Sequence, residues 1–324
     1  MNPMEGDPGA ALQQKSLNQL LDMIDRTLLN AADREPHLAR ALHGAHINAR
    51  SLFLAVVALL LALSLPKIVE WILRKCHRKE KNFRGDLIPQ SYGVFILLFS
   101  GITLSLCLKI YYPTGQIYLP WCVAVICFGL LGLLDDVLGD KSIKGLRGHL
   151  IAAFIHHRIT TGFIKALGGI LAAAWIGRMF EPQSLALTLL DTGIIALSAN
   201  ALNLLDLRPG RASGFFLVAA LILFSFQSPF SGFGVPPLLL MLIPTALLWS
   251  RDSRAEVMMG DTGSNLLGAA LGLALCSPPF SVRIKIVFLI FLILLHLLTE
   301  RKSLSQIIEN NRFLSFIDGL TGVR

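Results

Sequence analysis

Three clusters of acidic and amide side chains interrupt an otherwise apolar chain. Each stands where an apolar run begins or ends; they consist of Asp135 and Asp136, of Asn200, Asn203 and Asp206, and of Asp261 within the segment 260–265. Carboxylates at a lipid boundary are costly, and their convergence favours a hard cation bound by oxygen ligands. The residue types therefore indicate a metal-assisted site at a membrane surface.

Taken singly, each cluster also has a structural explanation. Asp135 and Asp136 could belong to a solvated turn. The amides and Asp206, spaced three residues apart, could form a hydrogen-bonded network between helices. Asp261 or Thr262 could cap a helix. The structural explanations weaken if all three clusters lie on the same side of one membrane.

A site with several carboxylates repels an anionic substrate unless a divalent cation lies between them. The substrate we expect is therefore an anion that binds together with such a cation. Mg²⁺ commonly takes one or two carboxylates together with substrate phosphates. The backbone N–H groups of Gly260, Thr262, Gly263 and Ser264, at a helix N-terminus, are expected to be free for phosphate oxygens. The cations that could neutralise a diphosphate are Arg84, Lys141, Lys144, Arg147, Arg208 and Arg211. Phosphoryl transfer is the reaction class that this combination predicts.

The elements that position these residues are membrane helices. The 324 residues are 54% hydrophobic and only 15% charged, with a mean hydropathy of +0.63. Soluble domains carry about 25% charged residues, so this composition argues against a water-soluble enzyme. The net charge of +8 is explained by loops facing anionic lipid, and no nucleic-acid partner is expected.

The apolar runs predict an all-α, polytopic transmembrane helical bundle with about 9–10 spans. Nine candidate spans are recognisable, at 51–74, 91–111, 117–134, 163–180, 186–205, 212–229, 233–250, 263–280 and 283–299. Loops after the odd-numbered spans, with the C-terminal tail, hold 19 Lys and Arg residues, against four in the other loops. The positive-inside rule therefore places all three acidic clusters on the cytoplasmic side.

Three regions are predicted along the chain. Residues 1–50 form an N-terminal extension with one amphipathic helix, 51–300 the transmembrane domain, and 301–324 a cytoplasmic tail. The stretch 146–162 is expected to be an interfacial helix.

At these clusters the chain resembles the polyprenyl-phosphate N-acetylhexosamine-1-phosphate transferases, the glycosyltransferase 4 group that includes the phospho-MurNAc-pentapeptide translocase. The resemblance runs from about residue 82 to 272. It rests on four motifs in order: Asn82-Phe-Arg84-Gly, Leu-Asp135-Asp136 with Lys144-Gly-Leu, Asn200-Ala-Leu-Asn203-Leu-Leu-Asp206, and Met259-Gly-Asp261-Thr-Gly-Ser.

The resemblance implies a bacterial plasma-membrane enzyme of cell-wall or surface polysaccharide synthesis, with its active site facing the cytoplasm. Such an enzyme moves an N-acetylhexosamine 1-phosphate from a UDP-sugar to polyprenyl (undecaprenyl) phosphate and releases UMP. Residue by residue, Asp261 is implied as the Mg²⁺ ligand and Asp135, Asp136 and Asp206 as catalytic. Substrate-binding roles are assigned to Arg84, Lys141, Lys144, Asn200, Asn203, Arg208, Arg211, Gly263 and Ser264. A homodimer is left open.

The sequence departs from the family pattern at two places, and these departures leave other functions open. Many family members have a histidine-rich segment in a late cytoplasmic loop, whereas this chain has only His296 there, for which we favour a structural role. The family's asparagine motif usually continues into a second Asp-Gly, and residues 207–211 stand in its place here. One alternative is a catalytically altered relative that binds the lipid carrier or scaffolds wall-polymer assembly. A transporter is less favoured, because the polar groups gather at one membrane face rather than at mid-depth.

Overall fold

The computed structural model describes most of the apolar part of the chain. It covers residues 19–24, 26–27, 49–82, 84–111, 117–139, 148, 152–153, 155–180, 184–226, 236–301 and 303–322. These residues are almost entirely helical, with one antiparallel pair of short strands. The prediction of an all-α polytopic membrane protein is confirmed.

Each predicted span coincides with one helix. In chain order the elements are α1 (Ala49–Lys75), β1 (Lys79–Lys81), β2 (Leu87–Pro89), α2 (Val94–Ile110), α3 (Leu119–Leu138), α4 (Thr161–Phe180), α5 (Leu185–Leu205), α6 (Arg211–Phe226), α7 (Pro237–Asp252), α8 (Gly260–Cys276), α9 (Val282–Arg301), α10 (Leu304–Glu309) and α11 (Arg312–Thr321). Among the described residues, α1, α3, α4, α5 and α9 are long and apolar enough to cross a membrane. α2 and α6 are shorter apolar helices.

The helix expected over 146–162 does not extend to α4. Residues 155–160 are not helical, and His157 has a positive φ of 51°, which a continuing helix does not allow. The hydroxyl of Thr160 accepts the N–H of Phe163, so Thr160 acts as an N-cap and α4 begins at Thr161. Much of the remaining stretch lies outside the described residues.

The predicted N-terminal helix also lies largely outside the described residues. Residues 19–24 are helical, and Leu21 is buried. Asp22 accepts a hydrogen bond from Arg50 at 2.7 Å, which ties this turn to the start of α1. The division into three regions stays a prediction.

The helix α8 lies at the centre of the bundle and packs along α3 and α5. Every residue of α8 from Thr262 to Cys276 is buried. Its glycines permit this close packing: a Cβ on Gly268 would lie 2.4 Å from the Ser198 carbonyl oxygen of α5. Small residues let membrane helices approach closely where lipid provides no hydrophobic drive for association.

Loops that follow α1, α3, α5 and α7 meet at one end of the bundle. Asn82 donates to the carbonyl of Ala255, Arg78 donates to that of Val137, and the N–H of Gly210 donates to Asp252. The four loops that the charge count assigned to one side of the membrane are therefore neighbours. That this side is the cytoplasmic one remains a prediction.

The strand pair braces the segment that leads into α8. The N–H groups of Tyr92 and Gly93 donate to the carbonyls of Met258 and Met259, at 2.8 and 2.9 Å. In return, the N–H of Met258 donates to the carbonyl of Pro89. The first loop thus helps to fix the N-terminus of α8, where Asp261 stands.

The close contact of α8 with α5 generates a stability prediction. Gly268→Ala is expected to lower the free energy of unfolding by about 1–3 kcal/mol, the usual cost of overpacking. The matched control is Gly101→Ala in α2, whose added Cβ meets no atom within 4 Å. Thermal unfolding in detergent, followed by intrinsic fluorescence, compares the two. Equal midpoints for both variants would contradict the packing described.

Candidate active site

One ammonium group joins three helices at the end where the acidic clusters meet. Lys165 of α4 donates to Asp135 of α3 at 2.7 Å, and it also forms an ion pair with Asp261 of α8. The hydroxyl of Thr161, one turn before Lys165, donates to the other oxygen of Asp135 at 2.7 Å. The carboxylates of Asp135 and Asp261 are therefore close enough to share one cation.

Lys165 is the functional candidate that sequence reasoning missed. Its charge was counted with the loop before α4, although it follows the start of that helix by four residues. Its isolation within an apolar span was the available signal, because an ionisable side chain in a membrane segment usually has a partner and a function. Thr161 and Lys165, four residues apart, lie on the same side of the helix.

Asp136 has a different environment from Asp135. Its carboxylate accepts the N–H groups of Asp261 and Thr262, at 2.9 and 3.0 Å, and the Thr262 hydroxyl at 2.6 Å. Helix N-termini leave such N–H groups unpaired and favour negative charge, so Asp136 caps α8 from a neighbouring helix. The N–H of Thr262, expected to face phosphate, is therefore bound by protein.

The backbone at the start of α8 is shaped for this cap. Gly260 has a positive φ of 75°, and a Cβ there would lie 2.8 Å from an oxygen of Asp136. On α3, a Cβ at Gly132 would lie 2.2 Å from the Asp261 carbonyl oxygen. Both glycines are needed for α3 to reach the backbone of α8, and this approach sets the position of Asp261.

The amide cluster reaches the same region through Asn203. The Ser264 hydroxyl, which is fully buried, donates to the side-chain oxygen of Asn203 at 2.9 Å. Asn200, one turn earlier on α5, is exposed. Gly263 is buried where α8 meets Gly93. Ser264 and Asn203 thus bond to each other, and Gly263 packs against backbone.

Asp206 ends α5 inside an acidic environment. Burial, together with the nearby carboxylates of Asp252, Asp261 and Asp136, raises the pKa of Asp206 well above its usual range. A hydrogen bond from the N–H of Gly260 acts in the opposite direction. Protonation of Asp206 would relieve repulsion among these carboxylates. The three acidic clusters are therefore together in space, as their shared side of the membrane predicted.

Two of the basic residues expected near the site are paired with the C-terminal tail. Arg211 pairs with the buried carboxylate of Asp318 through Nε and Nη2, at 2.6 and 2.8 Å, and Arg208 pairs with Glu309 at 2.8 Å. Both arginines thus contact the tail helices α10 and α11. Arg84 is exposed after β1. Lys141 and Lys144 lie outside the described residues.

An apolar groove of about 550 Å³ adjoins the cluster between α3 and α4. It is lined by Cys127, Leu130, Leu131, Leu134, Gly168, Leu171, Ala172 and Trp175. Leu134 immediately precedes Asp135, and Gly168 follows Lys165 by three residues. The groove therefore runs from the charged groups along the apolar part of the bundle.

The described residues contain no group of three or more His, Cys, Asp or Glu side chains arranged to hold a metal ion. The two carboxylates that share a cation position are Asp135 and Asp261. His296 lies elsewhere, on α9, where its Nδ1 contacts the carbonyl of Leu292 in its own helix.

The arginine pairs generate a prediction with an internal control. Arg211→Met removes the guanidinium that pairs with the buried Asp318 carboxylate, and breaking a buried ion pair costs about 3–5 kcal/mol. Arg208→Met breaks an exposed pair, worth about 0–1 kcal/mol. Thermal unfolding and limited proteolysis of the tail should show a large effect of the first substitution and a small effect of the second. Equal effects would be inconsistent with the buried pairing.

The cap on α8 generates a second prediction. Asp136→Ala removes a carboxylate that accepts two N–H groups and a hydroxyl, and we expect a loss of about 2–4 kcal/mol in stability. Asp136→Asn retains one acceptor oxygen and should lose less. Thermal unfolding of both variants gives the comparison. If Asp136→Ala were as stable as the unsubstituted protein, the cap would not contribute to stability.

Comparisons with known proteins agree with this geometry. Residues 118–277 match the family model for glycosyl transferase family 4. This segment begins at the start of α3 and ends after α8, so it contains Asp135, Asp136, Lys165, Asp206 and Asp261.

Three similar proteins are phospho-N-acetylmuramoyl-pentapeptide-transferases. The protein from Chlorobium chlorochromatii is 25% identical over 277 residues, covering 70% of this chain and 70% of the relative. That from Dictyoglomus thermophilum is 30% identical over 174 residues, covering 53% and 56%. That from Chlamydia pneumoniae is 29% identical over 260 residues, covering 68% and 70%. The resemblance to the polyprenyl-phosphate hexosamine-1-phosphate transferases that the motifs indicated is therefore confirmed, and the segment from α3 to α8 is similar to glycosyl transferase family 4.

Proposed function

We propose that the chain transfers a hexosamine 1-phosphate from a UDP-sugar to polyprenyl phosphate and releases UMP, at the cytoplasmic face of the bacterial plasma membrane. The main support for this proposal is that the carboxylates of Asp135 and Asp261 both pair with the ammonium group of Lys165. A phosphoryl-transfer site needs oxygen ligands for a metal and a positive charge for phosphate, and this cluster contains both. The relatives named above are pentapeptide transferases, which supports the reaction class.

The donor set of the cluster fits Mg²⁺. Asp135 and Asp261 are hard oxygen ligands from two helices, and both already contact a single cationic atom. Mg²⁺ sites often have one or two carboxylates, with the other positions taken by water and substrate phosphate, so a third acidic ligand is not required. Asp261 and Asp135 would hold the ion, which would neutralise charge on the diphosphate.

The proposed reaction is a direct displacement. An oxygen of the lipid phosphate forms a bond to the β-phosphorus of the UDP-sugar, and the bond from that phosphorus to the bridging oxygen breaks, leaving UMP. A phosphate monoester has a second pKa near 6 and is mostly dianionic at pH 7, so it needs little help from a base. The ammonium of Lys165 would bind a phosphate oxygen when its carboxylate partners are engaged elsewhere. Asp136 holds Asp261 in place through its backbone.

The groove between α3 and α4 supports a lipid acceptor. Its lining is apolar, and the lining residues Leu134 and Gly168 lie within one helical turn of Asp135 and Lys165. A prenyl chain in that groove would place its phosphate at the charged cluster without leaving the membrane.

A catalytically altered relative is the second candidate, and the tail contacts favour it. Arg208 and Arg211 stand where the family pattern has a second Asp-Gly, and both are engaged by α10 and α11. Such a protein would bind polyprenyl phosphate and no nucleotide. Equilibrium binding of the two ligands distinguishes this candidate from the transferase.

Asp261→Asn is expected to reduce turnover by at least about 100-fold, because transition-state charge stabilisation by a positioned group is worth factors of 10²–10³. The measurement is UMP release from UDP-GlcNAc with polyprenyl phosphate and Mg²⁺. Asp22→Asn, in the N-terminal turn, is the control and should keep full activity. Unfolding midpoints of both variants separate lost chemistry from lost folding.

Two results would contradict the proposal. Unchanged activity in Asp261→Asn, or full activity of the original chain after removal of divalent metal by EDTA, would remove the metal assignment. Absence of UMP with every UDP-hexosamine in a panel, under conditions where a related enzyme turns over, would reject the transferase activity.

A further inference from the structure

The tail helix α11 carries an apolar stripe on one side. Phe313, Phe316, Ile317 and Leu320 recur at intervals of three and four residues, which places them along one face of a helix. Phe313, Phe316 and Leu320 are 70%, 66% and 67% exposed. Three large side chains open to solvent on a ten-residue helix form a contiguous patch of the kind that marks a binding surface.

Another side of α11 is bonded to the transmembrane helices. Asp318 is buried and accepts two hydrogen bonds from Arg211, the first residue of α6. The indole N–H of Trp249, near the end of α7, donates to the carbonyl of Thr321 at 3.0 Å. α11 is thereby held at the level where α6 and α7 reach the end of the bundle that contains the site.

The lipid bilayer is the partner that suits the apolar face of α11, which lies at the end of the bundle where α6 begins. Phe215, one turn into α6, is half-exposed and belongs to the apolar outer surface of the bundle. Ten residues of helix span about 15 Å, half of the roughly 30 Å hydrocarbon core, so α11 is too short to cross. An amphipathic helix held at the boundary instead lies in the plane of the interface. Arg312, exposed at its start, suits anionic headgroups.

We propose that α11 lies in the interface of the inner leaflet, with Phe313, Phe316, Ile317 and Leu320 buried among lipid and Asp318 fastening the helix to the bundle. Arg211 follows Asp206 by five residues. A helix held by both the membrane and Arg211 therefore braces the turn between α5 and α6, on which Asp206 stands. This surface is separate from the proposed transferase activity, and it can be tested without substrate.

The test uses tryptophan and brominated lipid. Phe313→Trp places an indole in the stripe, and Ser315→Trp places one on the opposite, exposed face of the same helix. The full chain is reconstituted in vesicles that contain phosphatidylglycerol and phosphatidylcholine with or without brominated acyl chains. The signal of the four native tryptophans is subtracted. We expect brominated lipid to quench the added emission at 313 at least about twofold more than that at 315.

The alternatives give distinct results. Equal quenching at the two positions, or none at 313, would overturn the proposal. An indole at 313 protected from both brominated lipid and aqueous acrylamide would show that protein, such as a second copy of the chain, covers the stripe, which would also overturn it. Both substitutions lie on exposed positions, and an unchanged unfolding midpoint confirms that each variant is folded.

Discussion

Negative charge at the edge of a membrane must be compensated, and this requirement organises the whole site. Asp135 and Asp261 share the ammonium of Lys165, while Asp136 accepts the N–H groups that begin α8. Without the ammonium group or the N–H groups of α8, these carboxylates would repel one another in a region of low dielectric. The helix α8 can be central because its N-terminus is capped from α3. The position of Asp261 follows from that cap.

Packing and electrostatics support each other in this arrangement. The glycines at 132 and 260 allow the backbone of α8 to approach α3, and the same approach puts Asp136 within hydrogen-bonding distance. On the opposite side of α8, Gly268 and Gly272 lie against α5, which carries Asn203 and Asp206. Small side chains thus permit the close contacts, and polar groups at the ends of those contacts form the site.

Two adjacent aspartates have acquired separate tasks because successive helical residues point about 100° apart. Asp135 faces α4 and its lysine, whereas Asp136 faces the backbone of α8. A similar division applies to the arginines after α5. Arg208 and Arg211 are bound to the tail, whereas Lys165, within the described part of the chain, contacts the acidic cluster. Nearness in sequence did not indicate that Lys165 would contact the acidic cluster.

Composition and periodicity alone determined the membrane class, the nine helices from α1 to α9 and the shared side of the acidic clusters, because these depend on local hydropathy and on charge counts. Residue motifs also indicated the resemblance to the transferase family before any contact was known. Only the tertiary structure decided the pairing of Lys165, the cap by Asp136 and the attachment of Arg211 to Asp318. Each of these joins residues at least 30 positions apart, and such partners are set by how helices pack, which a local pattern does not encode.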